Sequence, residues 1–203
     1  MNTDLLPKGF LKKHPLANIS AAKLTDFSIR FLMSDEVTDR IEQFVGPRIA
    51  PSRLDETDTE KALIAAMNTP EEIVAQMRKT NDMLIIPLIC KKVLSMQEEA
   101  IPLILKRYKT TFQDQFVETA ARILGNADRK YTLDLLEHYR EIRNPYAQSI
   151  ACLLFGEHRL EEAAVLLLSE YERFRTRFPD TSHAQGPLFA LHLLFGDDSR
   201  ERA

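Results

Sequence analysis

The sequence predicts an all-α fold: stacked antiparallel helical hairpins, an α-α superhelix or solenoid, with a small helical N-terminal segment ahead of them. Three observations predict it. From about Ser20 onward the apolar residues recur with helical period, while alternating strands and Asn-Gly or Asp-Gly hairpin turns are missing. Helix starts are spelled out by Thr57-Asp58-Thr59-Glu60 and Thr69-Pro70-Glu71-Glu72, capping boxes in which a hydroxyl and a carboxylate satisfy orphan amides reciprocally. Asn144-Pro145 is a cap-plus-proline start of the same kind. Finally, three of the six glycines follow similar apolar runs, Ala121-Arg-Ile-Leu-Gly125, Cys152-Leu-Leu-Phe-Gly156 and His192-Leu-Leu-Phe-Gly196.

In chain order, residues 1–56 open with a proline-punctuated lead (Pro7, Pro15), followed by a helix near 20–33 and another near 35–45 that Ser34 caps. In the second of these, Val37, Ile41, Phe44 and Val45 share a stripe before Gly46-Pro47 ends it. Residues 46–56, with Pro47 and Pro51, read as a linker. It divides the chain into an N-terminal segment, 1–56, that packs on the solenoid and a helical-repeat domain, 57–203. Beyond Thr57 the connections are very short, as between antiparallel helices. Helices are expected near 70–80 and 82–95 (capped by Asn81), then 97–109, 112–124, 128–143 (capped by Asp128), 145–156, 159–178 and 186–195. Gly125, Gly156 and Gly196, spaced 31 and 40 residues apart, are read as left-handed caps closing the inner helix of successive hairpins.

Composition bounds the function. Hydrophobic residues at 44% and charged residues at 28% of 203 exclude collagen-like, disordered and membrane classes. A balance of 27 basic against 30 acidic residues, with a pI near 6.0, argues against bulk capture of nucleic acid or anionic lipid. Six glycines in 203 residues is about half the usual share, and none are close enough to cradle a phosphate. Cys90 and Cys152 each sit in an apolar run, the setting of small buried hydrophobes in a reducing compartment. The first twenty residues lack a signal-length apolar core, and the longest apolar run, Met83 to Cys90, is too short to span a bilayer. A cytoplasmic protein without a membrane partner is expected.

Leu154-Phe155-Gly156, then Glu157-His-Arg-Leu160-Glu161-Glu162-Ala163, Tyr171 and Phe178-Pro179, resemble a tetratricopeptide repeat, and Gly196 to Ala203 begins the same phrase again. Glu98-Glu99-Ala100-Ile101-Pro102-Leu103 is similar to the acidic start and early proline of a HEAT outer helix. The resemblance covers about residues 69–203, with 40 residues between Gly156 and Gly196 where the tetratricopeptide period is shorter. It implies protein or peptide binding on a solenoid face, without chemistry. A DNA-repair glycosylase on a HEAT fold would need aromatics to hold a base and a basic concave face. With no tryptophan, 8% aromatics and a pI near 6.0, the sequence supplies neither.

Three surfaces are candidates for binding. If inner helices line a concave face, Gln115, Glu118 and Arg122 form a polar recognition stripe on helix 112–124. The C-terminal ends of the outer helices gather Lys106, Arg107, Lys109, Arg140, Arg143, Arg173, Arg175 and Arg177. In a stack these align as a basic ridge for phosphates or acidic peptides, although cations at helix C-termini also complement the macrodipole. The last helix, Gly186 to Phe195, is apolar all round, whereas terminal repeats normally carry a polar outer face. Its Leu188, Leu191 and Phe195 therefore need a cover: the N-terminal segment, a partner protein, or a second copy of the chain in a homodimer.

No enzyme, cofactor or metal is expected. Asp134/His138 and His158/Glu162 share helix faces at i, i+4 and read as surface ion pairs, and His192 as a core histidine. No Cys/His cluster, nucleophile elbow, Walker loop or dinucleotide fingerprint occurs. The expected function is a non-enzymatic protein- or peptide-binding module, with phosphate or nucleic-acid binding through the ridge as the alternative.

Overall fold

The computed structural model describes residues 6–15, 51–80, 82 and 84–196, and among these all regular structure is helical. The helices expected near 20–33 and 35–45, the Ser34 and Asn81 caps and the first part of the linker lie outside the described residues. The elements are α1 (Phe10–Lys13), α2 (Pro51–Ala66), α3 (Pro70–Gln76), α4 (Ile86–Ser95), α5 (Gln97–Tyr108), α6 (Asp114–Asn126), α7 (Arg129–Glu137), α8 (Pro145–Glu157), α9 (Ala164–Arg177) and α10 (Gln185–Phe195). Short 3-10 turns, Tyr139–Glu141 and Glu161–Ala163, sit before α8 and α9.

Two of the three start signals act as written. The Thr69 hydroxyl accepts from the Glu72 amide at 3.3 Å and Glu72 accepts from the Thr69 amide at 3.2 Å, with Pro70 in the first turn of α3. Asn144 Oδ1 accepts from the Tyr146 amide at 2.9 Å to start α8. Thr57 starts no helix. It lies inside α2, which begins at Pro51 and runs through the expected boundary at residue 57, so residues 51–56 are helix, not linker. The Thr57 hydroxyl is buried and turns to the Asp82 carboxylate at 3.5 Å, while Thr59 donates back to the Asp55 carbonyl at 2.8 Å as helix-interior threonines do.

Packing follows an alternating order. α2, α4, α6, α8 and α10 form one row in which each packs on the next, and α3 packs on α5 in a second row. Sequential neighbours from α3 to α8, and α9 with α10, join the rows. Helices ending near Gly125, Gly156 and Gly196 (α6, α8, α10) therefore do occupy one row. Tyr108 at the end of α5 ties the rows together, its buried hydroxyl donating to the Ala147 carbonyl at 2.8 Å. One contiguous core runs from Ile64 to Leu194 and takes in Phe10.

The glycines mark helix ends for a reason other than the expected one. Gly125 and Gly156 lie within α6 and α8, and Gly196, at φ −67°, is not left-handed. At Gly156 a Cβ would stand 2.5 Å from the Ala190 Cα, and at Gly186 it would overlap the Ser149 carbonyl. Absent side chains thus let α8 and α10 touch backbone to backbone at two points. Both contacts advance together along the helices, so α8 and α10 run the same way, as equivalent helices of successive hairpins do.

The left-handed residue closing α8 is Arg159, φ 52°. Leu160 N–H donates to the Phe155 carbonyl at 2.9 Å and Arg159 N–H to the Gly156 carbonyl at 3.0 Å, the paired bonds of a Schellman motif. Leu160 and Phe155 are both buried, supplying its apolar contact. Because an L side chain is strained there, Arg159→Gly is expected to stabilise the fold by about 0.5–1 kcal/mol. Thermal melts should rise by about 1–3 °C; a lower midpoint would contradict this account of the turn.

The N-terminal lead packs on the far end of the stack. Phe10 is buried, its ring edge-on to Tyr171 at 5.5 Å. His14 Nδ1 lies 2.9 Å from the Tyr171 hydroxyl, and His192 Nε2 donates to the His14 carbonyl at 2.9 Å. Part of the cover that α10 needs thus comes from the chain itself. Leu191 is 0% exposed and is interior, not an interface residue, whereas Leu188 and Phe195 stay half-buried.

Candidate functional site

α5 carries Pro102, Leu105 and Lys106, and Lys109 caps it, at i, i+3, i+4 and i+7, one face of a helix. α7 presents Lys130, Tyr131 and Asp134, and Arg140, Glu141 and Arg143 follow on the 3-10 turn and the strand of loop after it. These residues and Thr110 line a cleft of about 940 Å³. Arg143 N–H donates to the Lys109 carbonyl at 3.0 Å, pinning the 139–143 segment to the end of α5. Below it the Tyr139 hydroxyl donates to buried Glu170 of α9 at 2.9 Å.

Five cations and two carboxylates face this cleft. Some of that charge is already matched. Lys109 Nζ lies 3.1 Å from Glu141, Lys130 Nζ 2.8 Å from Glu98, and Asp134 3.2 Å from His138 Nδ1. Hydrogen bonds from Lys130 hold Glu98 below the usual carboxylate range. No carboxylate among the described residues is within ion-pair distance of Lys106 or Arg143. The floor is apolar, formed by Leu105 and the nearly buried Tyr131, whose ring lies 4.9 Å from Lys130 Nζ. Such an arrangement sets cations around an apolar floor, with Asp134 and Glu141 as the carboxylates of the lining.

The predicted ridge is therefore split. Lys106, Lys109, Arg140 and Arg143 meet in the cleft. Arg107 is half-buried outside it, its Nε without a hydrogen-bond partner. Arg173 turns into the stack, donating to Glu170 at 2.7 Å and to Gln148 at 2.6 Å with its guanidinium over the Phe174 ring. Arg175 lies 3.8 Å from Glu172 and over Tyr171, and Arg177 is exposed at the end of α9, away from the cleft lining. Lys130, absent from the predicted ridge, is the cation that completes the wall on the α7 side.

The polar stripe of α6 is largely occupied within the chain. Gln115 donates to the Thr80 carbonyl at 2.9 Å and Glu118 accepts from the Tyr146 hydroxyl at 2.9 Å. Arg122 is half-buried. Of the two i, i+4 pairs, Asp134 and His138 stay together at 3.2 Å, whereas His158 and Glu162 part: His158 Nε2 meets the Leu124 carbonyl at 3.1 Å, and Glu162 meets Arg129 at 3.3 Å. Among the described residues no group of three or more His, Cys, Asp or Glu is placed to hold a metal. Nor is any of their helices long and apolar enough to cross a membrane.

The chain matches no protein-family model, no curated protein and no solved structure. The HEAT and tetratricopeptide resemblance accordingly rests on the residues quoted and on the alternating packing of the helices.

Proposed function

We propose that this chain is a non-enzymatic helical-repeat binding module of the HEAT or tetratricopeptide kind, and that it takes an acidic segment of a partner protein in the cleft between α5 and α7. The observation that carries the reading is the convergence of Lys106, Lys109, Lys130, Arg140 and Arg143 over an apolar floor. An overall net charge of −3 favours a local acidic ligand over a long polyanion, which the rest of the surface would repel. The second reading, phosphate or nucleic acid on the same cations, is separated by salt dependence.

Fluorescence anisotropy with a fluorescein-labelled hexaglutamate peptide and with a labelled DNA duplex tests both. The peptide is expected to bind, and Lys106→Glu with Arg143→Glu to weaken it by roughly tenfold or more without lowering thermal stability. Tighter binding of the duplex, falling steeply as salt rises, would favour the nucleic-acid reading. Unchanged peptide affinity in the double variant would overturn the cleft assignment.

A further inference from the structure

The segment that supplies Lys109 and Thr110 to the cleft also carries Phe112, whose side chain stands 68% exposed. Among the described residues the large apolar side chains left in solvent are Leu63, Phe112, Leu133 and Val165, and Phe112 is the aromatic one. Its exposure is not that of a loose tip. Thr110 and Thr111 amides donate to the Arg107 carbonyl at 3.1 and 3.0 Å, and the Gln113 amide donates to the Thr111 hydroxyl at 3.2 Å. Thr111 itself is buried, and Arg78 reaches across to Gln113 at 3.4 Å. A rigid loop with a buried residue on one side thus holds an aromatic ring outward on the other, the form taken by anchor residues of protein interfaces.

We propose that Phe112 is the apolar anchor of the docking surface, and that the partner is a protein segment whose acidic residues occupy the cleft while an apolar side chain beside them packs on the Phe112 ring. The inference rests on the acidic-segment reading of the cleft. It specifies the partner further: two residues of extended chain span at most about 7 Å, so the apolar group lies close to the acidic ones. Neither free phosphate nor a uniformly acidic peptide meets both requirements.

Two fluorescein-labelled peptides test this on the full chain, one of four glutamates, two glycines and two leucines, the other with serines in place of the leucines. The leucine peptide is expected to bind roughly tenfold more tightly. Phe112→Ser should abolish that preference and leave the serine peptide unaffected, whereas Phe112→Leu should keep most of it. Because the side chain is solvent-exposed, both variants should melt with the parent chain. Equal affinity of the parent chain for both peptides, or a preference that survives Phe112→Ser, overturns the anchor alone. Binding of neither peptide overturns the cleft reading and the anchor with it. Loss in Phe112→Leu as complete as in Phe112→Ser, with a single-stranded oligonucleotide bound more tightly than either peptide, assigns Phe112 to base stacking and overturns the protein partner.

Discussion

Glu170→Ala is expected to lower stability by about 3 kcal/mol, the scale of a broken buried ion pair. Glu170 is 1% exposed on α9. Its Oε2 accepts from the Tyr139 hydroxyl at 2.9 Å and from Arg173 Nε at 2.7 Å, and its Oε1 lies 3.7 Å from Arg140. Removing the carboxylate leaves the buried Tyr139 hydroxyl with only the weak thiol of Cys152, 3.6 Å away, and strips Arg173 of its counter-charge. The Arg173 side chain is 24% exposed, so water recovers part of its solvation and holds the loss to the lower end of the range. Glu170→Gln keeps acceptors for both partners but loses the charge, and should cost about half as much. Urea unfolding of the three proteins measures this; an alanine variant within 1 kcal/mol of the parent would show that the network is idle. Because Tyr139 anchors the segment bearing Arg140 and Arg143, the alanine variant should also bind the hexaglutamate peptide more weakly at temperatures where it remains folded.

How far the fold was legible depends on whether each signal is local. Thr69 and Asn144 act as read because a cap and its amide lie within three residues, and Pro70 and Pro145 fix the same turn. Thr57 has the same spelling as Thr69, yet its hydroxyl meets Asp82, 25 residues away, and the helix around it starts at Pro51. The glycines are the mixed case. They located the ends of α6, α8 and α10, but Gly156 answers to Ala190 on a neighbouring helix. Nothing in Leu-Phe-Gly distinguishes a left-handed cap from a helix crossing, so the turn itself fell to Arg159.

At the site, the α5 cations were legible from their helical spacing, and Arg140 and Arg143 from their place at the end of the next outer helix. Lys130 was not, because reasoning from helix dipoles looks for cations at C-termini and Lys130 lies in the first turn of α7; only the facing of α7 toward the cleft enlists it. Loss of Arg173 and Arg175 from the ridge did have a signal. Glu170 and Glu172 stand three residues before them, the spacing of helical ion pairs. Gln115 and Glu118 were read as a free stripe because their partners, Thr80 and Tyr146, belong to other elements.

Between pH 8 and pH 10 the chain is expected to lose roughly 3–4 kcal/mol of stability through groups the fold keeps protonated. Burial pushes the thiols of Cys90 and Cys152 from 9.0 up to about 12, against a smaller lowering by Arg122 near Cys90 and by the Tyr139 hydroxyl at Cys152. Burial likewise lifts the phenols of Tyr108 and Tyr139 well above 10.0. In each case the folded value exceeds the unfolded one, so the stability is fully present below the unfolded value and is lost as pH rises toward the folded one. At pH 10 the unfolded chain gains about 1 kcal/mol or somewhat more from ionising each thiol and less than half of that from each of these two phenols. The loss therefore begins near pH 9 and steepens beyond it. Urea midpoints at the two pH values measure it, under reductant so that no disulfide forms. Cys90→Ala with Cys152→Ala shifts the baseline stability by leaving small cavities, but the difference between pH 8 and pH 10 should shrink to about 1 kcal/mol. A parent chain that loses less than that would mean the two thiols ionise in place, and that the core around α4 and α8 admits charge.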